Sequence, residues 1–181
     1  MPPNKKRRRR RGERVAGWAS LIPTPSLMVR DIADSQQYDE GYPMDIRPFH
    51  ESDEPDVIAL WAEVFGYTAA HNRPQAVIRQ KLAVQRELFL VARLDGRLAG
   101  TVLGGYDGHR GWVYSLAVHP NLRRRGVGTV LMRHVERELA SRGCPKINLQ
   151  VLATNAATVA LDEKLGDSVE ERISMGKVLG Q

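Results

Sequence analysis

The chain has 181 residues, 42% of them apolar, a single cysteine and a formal charge of +6; that length supports one hydrophobic core and is short for two. No stretch approaches the ~18 consecutive apolar residues of a membrane-spanning helix, and the lone Cys144 excludes both an intramolecular disulfide and a cysteine-based zinc site. An unpaired thiol fits a reducing compartment, and the basic start is not followed by the apolar region of a secretory signal, so the cytoplasm is expected.

The charge is unevenly spread. Residues 1–43 carry nine Lys/Arg against five Asp/Glu, whereas residues 44–181 carry eighteen against sixteen. The first segment joins the run Lys5–Arg11 to "IPTPS" and "DIADSQQYDEGYP" without an apolar period. It is expected to be a disordered basic N-terminal extension; Met44 reads as the start of the folded domain, and a mis-assigned start upstream of Met44 is the alternative reading of the extension. A nucleic-acid tail and a localisation signal are the rival readings of the arginine run.

From Met44 the elements follow in regular order. "DIRPF" reads as a strand. "SDEPDVIALWAEVF" opens with cap-type residues and a proline near its first turn, and spaces Val57, Ile58, Leu60, Trp61 and Val64 along one helix face. After a loop over residues 68–73, "PQAVIRQKLAVQR" predicts a second helix. "LFLVARL" and "LAGTVLGGY" flank the turn Asp95–Gly96 and predict a hairpin. "DGHRG" is a further turn, leading to a fourth strand, "WVYSLAVH". A helix is predicted over 127–142, stopping at Gly143, then a strand "KINLQV", a helix from Asn155 to Gly166, and a terminal strand pair over 168–178. The order predicts a single α/β domain, residues 44–181, with a mixed sheet flanked by helices.

The stretch "VHPNLRRRGVG" lies where the fourth strand gives way to a helix. The first backbone N–H groups of a helix have no partner within it, and the helix dipole adds positive potential there. Gly126 and Gly128 remove side chains, so the backbone can approach a phosphate, and Arg123, Arg124 and Arg125 supply counter-charge. This is a pyrophosphate cradle, although a solvated arginine turn has the same composition. It is neither a dinucleotide fingerprint nor a P-loop, which need G-x-G-x-x-G and a terminal Gly-Lys-Ser/Thr. Lys5–Arg11 have no such frame.

Arg123-x-x-Gly126-x-Gly128, behind the strand "LAVHP", resembles the (Arg/Gln)-x-x-Gly-x-(Gly/Ala) signature of the GNAT superfamily of acyl-CoA-dependent N-acyltransferases. "GTVLGGYDGHRG" and "RGCPKI" are similar in particular to the small bacterial YpeA-type acetyltransferases. The resemblance runs from Met44 to about Leu179. It implies the GNAT fold, a mostly antiparallel mixed sheet whose fourth and fifth strands splay apart, and acetyl-CoA as co-substrate with no metal. It implies that the backbones of Leu116, Ala117 and Val118 hydrogen-bond the pantetheine arm. The amides of Arg124, Arg125, Gly126, Val127, Gly128 and Thr129 would hold the pyrophosphate, with Arg123 nearby and Asn155 also at the cofactor. The implied partner is an amine acceptor, a small molecule or a protein, in a direct ternary-complex attack. Tyr67, after the first helix, is the candidate acceptor contact, and a homodimer is compatible with the family.

The helix pattern of the family is Asn-x-x-Ala-x-x-x-Tyr-x-Lys-x-Gly-Phe. Here Asn155, Lys164 and Gly166 fit, whereas Thr158, Asp162 and Asp167 depart from it. In many relatives the tyrosine protonates the departing thiolate. A free aspartate, with a pKa of about 3.9, is protonated in only about one molecule in a thousand at neutral pH unless burial raises that value. Asp162 therefore leaves two readings open: an enzyme that draws its proton from water or a perturbed aspartate, or a catalytically impaired acyl-CoA-binding protein. The catalytic candidates are Asp162 and Tyr114. Tyr114 is on a fourth strand that lacks a carboxylate base; Glu87, Asp107 and His109 are weaker candidates. Nucleic-acid binding through the tail is a third, weaker reading.

Overall fold

The computed structural model describes residues 44–66 and 70–179. The extension over 1–43 and the acceptor candidate Tyr67 lie outside the described residues. Nine principal elements follow in chain order: β1 Met44–Pro48, α1 Glu54–Phe65, α2 Pro74–Ala83, β2 Phe89–Leu94, β3 Arg97–Tyr106, β4 Gly111–Val118, α3 Val127–Ser141, β5 Ile147–Leu149 and α4 Ala156–Leu165. The sheet order is β1-β2-β3-β4-β5, antiparallel through β4 and parallel between β4 and β5.

The β2–β3 hairpin forms where the sequence placed it. Asp95 and Gly96 both adopt positive φ, 50° and 75°, the backbone a two-residue turn between twisted strands requires. α1 buries Val57, Leu60 and Trp61 and ends at Gly66 in the left-handed conformation, φ 55°. Trp61 is fully buried, stacks on Phe89 at 5.7 Å and donates from its indole to the Thr101 hydroxyl at 2.8 Å. That bond satisfies the one polar atom the ring takes into the core.

The sheet has two apolar faces. One packs Leu90, Ala92, Val102 and Val113 against Val127, Leu131, Val135 and Leu139 of α3. The other packs Phe89, Val91, Leu103 and Ala117 against Val57, Trp61 and Ile78 of α1 and α2. Asp53 pins the edge of this second layer. It is 1% exposed, yet it accepts from Arg47 at 2.7 and 3.0 Å, from Arg93 at 3.1 Å and from the His50 amide at 2.9 Å. Burial alone would raise its pKa; these donors outweigh it and hold the carboxyl at about 2.

Two sequence expectations need correction. α2 ends at Ala83 rather than continuing through Arg86, because Val84 is extended and Gln85 turns left-handed, φ 53°. Gln85 is held there by its side chain, which accepts from the Tyr106 amide at 2.9 Å and donates to the Tyr106 carbonyl at 2.7 Å. The terminal strand pair does not form among the described residues: 168–179 make no ladder. Side chains tether the segment to the β5 region instead, Glu170 to Lys146 and Asn148, and Ser174 to Gln150.

Candidate active site

β4 and β5 pair only between 111–113 and 147–149, after which the strands part. From Tyr114 onward the β4 edge on that side has no strand partner. This wedge contains Leu116 and Val118, half-buried against the α3 face, and Ala117, buried against the opposite face. Between Tyr114 and Ala117 the register with β3 shifts, and Ser115 sits at φ 52°. The shift is a β-bulge, the device by which a strand re-aims its backbone groups. Ser115 was not among the predicted site residues.

Beyond β4 the chain makes a tight loop. His119 donates its amide to the Ala99 carbonyl at 2.9 Å, and its ring nitrogen accepts from the Asn121 amide at 3.3 Å, so it serves as a cap. Arg124 and Gly126 adopt positive φ, 61° and 82°. Val130 is the first α3 residue to donate into the loop, to the Gly126 carbonyl at 3.0 Å. The amides of Arg124, Arg125, Gly126, Val127, Gly128 and Thr129 make no backbone hydrogen bond among the described residues.

Six consecutive unpaired N–H groups at a helix start, beside three exposed arginines without an ion pair among the described residues, form a strong anion cradle. Val127, the first residue of α3, is 1% exposed and anchors the loop by packing into the core between α3 and the sheet. Gly128 is tight for a different reason: a Cβ there would lie 3.2 Å from Leu161 of α4. Such a run of N–H groups is suited to an anionic oxygen group.

α4 opens on Asn155, whose side-chain oxygen accepts from the Thr158 amide at 3.2 Å. Its backbone amide donates to the Leu152 carbonyl at 2.8 Å, whereas its side-chain Nδ2 makes no hydrogen bond among the described residues. Asp162, two turns on, is 5% exposed, and neither carboxylate oxygen has a partner. Burial, then the charge of Asp167, raises its pKa to about 6. Glu136 of α3 and Asp167 are raised too, chiefly by burial. Both line a cleft of about 300 Å³ with Lys146 and Leu165. The free-aspartate value used in reading the sequence therefore does not hold for this residue. At pH 7 a pKa of about 6 leaves roughly one molecule in ten protonated.

The structure does not bring the two catalytic candidates together. Asp162 belongs to α4, which packs on the α3 side, whereas the Tyr114 ring reaches across β3, 3.8 Å from a Cβ built on Gly105, on the α2 side. Burial raises the Tyr114 pKa, so still less of the phenolate that a general base requires is present near neutrality. The weaker candidates have structural work: Glu87 pairs with Arg142 at 3.6 Å, and Asp107 accepts from the amides of His109 and Arg110, each at 2.7 Å, to close a turn. Among the described residues no His/Cys/Asp/Glu group is placed to hold a metal ion, and no helix is long and apolar enough to cross a membrane.

Comparison with known proteins bears on this geometry. The profile of the Acetyltransferase (GNAT) family matches residues 54–167. An acetyltransferase of Yersinia enterocolitica is 44% identical over 136 residues, 75% of this chain and 96% of its own. One of Pectobacterium atrosepticum is 43% identical over the same lengths. Among solved structures, the aminoglycoside N-acetyltransferase AAC(6')-Iy in complex with CoA superposes with a TM-score of 0.62 at 20% identity, covering 76% of this chain and 96% of that one. The ribosomal-protein-S18-alanine N-acetyltransferase of Escherichia coli gives 0.56 at 24% identity, covering 68% and 76%. Both share the fold.

Proposed function

The chain belongs to the GNAT family of acetyltransferases, and on that premise we propose that it transfers acetyl from acetyl-CoA to a primary amine, of a small molecule or a protein, by direct attack in a ternary complex. The observation that carries this reading is the run of six unpaired amides from Arg124 to Thr129 beside the open edge of β4. When bound, acetyl-CoA supplies an activated thioester whose sulfur leaves as a thiolate. The protein's own residues do the rest. The loop amides and Arg123–Arg125 hold the diphosphate. The backbones of Leu116, Ala117 and Val118 line the arm as an added strand would. The bulge at Ser115 re-aims the backbone of β4 beside the wedge, and an N–H group there would polarise the thioester carbonyl.

Asp162 carries the proton in this scheme. Burial raises its pKa to about 6, so about one molecule in ten carries the proton at pH 7 and can donate it to the departing sulfur. In the alternative, binding-only reading the ionised majority does not turn over; the pH dependence of acetyl transfer, falling above pH 6 where Asp162 is the donor, separates the two. Neither the bound CoA of one structural neighbour nor the aminoglycoside in its name identifies the acceptor of this chain.

The test is a calorimetric titration of the full chain with acetyl-CoA beside Gly126→Asp. A carboxylate in the cradle opposes the diphosphate, and the required positive φ of 82° adds backbone strain. Binding should weaken at least tenfold, and Arg123→Ala should weaken it less. Equal affinity for wild type and Gly126→Asp would remove the cradle from the reading.

A further inference from the structure

Lys81, near the end of α2, takes no part in the chemistry above. It is 5% exposed, and its ammonium makes one hydrogen bond, 2.5 Å to the Gly104 carbonyl. An ammonium has three donors, so two remain unused. No carboxylate lies within ion-pair distance among the described residues. Glu87, whose charge it feels, is shared with Arg142. Burial, opposed by Glu87 and aided by Arg142, brings the Lys81 pKa down to about 8.

Part of this arrangement is structural. β2 begins at Phe89, opposite Leu103, so β3 beyond Leu103 has no strand on that side. Lys81 caps Gly104 there, and Gln85 caps both backbone groups of Tyr106. Gln85 shows that a neutral side chain can do this work. Capping explains a polar residue at position 81 but not a cation, because a buried charge without a counter-ion costs several kcal/mol.

The surroundings point to what would meet that charge. Lys81 Nζ lies over the Tyr114 ring, 6.0 Å from its centroid, the outer limit of a cation–π contact. The ring therefore does not close against the ammonium. Tyr114 is 43% exposed, and Trp112, two residues earlier on the same face of β4, is 40% exposed. Ser115, at the bulge, is the residue next to Tyr114. The uncompensated cation thus sits beside an exposed aromatic wall, one residue from the point at which the acyl group is expected.

We propose that Lys81 determines acceptor specificity: its ammonium receives a carboxylate, or a comparable anionic oxygen, carried by the amine that is acetylated, with Tyr114 and Trp112 forming the wall beside it. The inference rests on the acetyl-transfer reading and names its substrate class: amines bearing a negative charge within a few bonds, such as amino acids and their derivatives. A polycationic acceptor would instead bring a second positive charge against Lys81 in a poorly solvated place.

The experiment uses the full chain with lysines labelled at ¹³Cε, saturated with CoA, and the Lys81 resonance identified by its loss in Lys81→Arg. The twenty common amino acids and the matching amino-acid amides serve as probes. At least one carboxylate probe should shift the Lys81 signal and raise its titration midpoint by a unit or more, while its amide leaves both unchanged. In acetyl transfer, kcat/KM for that acid should exceed the amide's at least tenfold; Lys81→Met should bring the ratio near one, and Lys81→Arg should restore part of it. A Lys81 signal unmoved by every probe overturns the inference, as does a Lys81→Met variant that slows acid and amide alike. The wild-type titration needs no substitution, so a variant that fails to fold does not remove the test. Calorimetry with acetyl-CoA on the same preparation before CoA is added separates the two readings: absent cofactor binding refutes acetyl transfer, whereas intact binding with a silent Lys81 refutes this inference alone.

Discussion

Replacing Asp162 by Asn should stabilise the protein, by an amount that depends on pH. Its carboxyl is 5% exposed with both oxygens unpartnered, and its pKa is raised from 3.8 to about 6. A group whose proton affinity rises on folding contributes stability below its unfolded pKa, and that contribution is lost as pH climbs through the folded value. The window therefore runs from about 4 to about 6. The full shift corresponds to about 3 kcal/mol, and two-state linkage gives about 1 kcal/mol already lost at pH 4.5. Asn has the same shape and leaves the same positions unpaired, so packing cancels and the charge remains. The stability gain of Asp162→Asn, from urea midpoints of the full chain, should grow by about 2 kcal/mol between pH 4.5 and pH 7.5. Taking the difference at each pH removes other titrating groups to first order; Glu136 and Asp167, which are coupled to Asp162, would shift in the same direction. A gain that is flat with pH would show that Asp162 meets water or a cation in solution, and would refute its role as a buried proton store.

Asp53 has the opposite sign. Its pKa of about 2 means that the Arg47 and Arg93 contacts add about 2 kcal/mol above pH 4, lost as pH falls toward 2; acid titration of stability should show this loss in wild type and not in Asp53→Asn. Gly100→Ala should destabilise by about 1–3 kcal/mol in urea, because a Cβ there lies 2.6 Å from the Ala117 carbonyl and 3.0 Å from Leu131, backbone and core that cannot both yield.

Local rules made much of the fold legible. Asp95–Gly96 announces a hairpin because few residues tolerate its backbone, and the spacing of Val57, Leu60 and Trp61 describes a face that has to be buried. The shape of the loop before α3 was readable for a similar reason: Gly126 where φ is positive, cations beside it, and a helix beginning at once. What escaped depends on distant partners. α2 stops early because Lys81 and Gln85 are drawn to an unpaired stretch of β3, which no pattern within the helix reveals. Residues 168–178 alternate like a strand, yet β5 offers only three paired residues, and polar side chains make the connection. The bulge had a signal that went unused. Val113, Leu116 and Val118 all face α3, a spacing of three and then two, where an uninterrupted strand would keep to twos.

Asp162 and Lys81 are best understood together. Each is an ionisable group 5% exposed, each lacks an ion-pair partner among the described residues, and each has its pKa moved toward neutrality, to about 6 and about 8. They lie on opposite faces of the sheet, Asp162 in α4 on the α3 side and Lys81 in α2 beside Tyr114. A fold selected for stability alone would have an apolar residue at 162 and a neutral cap at 81, since either change removes a desolvated charge. Acetyl transfer to an amine needs a proton delivered to the sulfur on one side and the incoming amine oriented on the other. Under the proposed acetyl transfer, a partly protonated donor and a cation without a counter-ion would meet those two needs, and the destabilisation that Asp162→Asn would relieve would be the cost of keeping the donor in place.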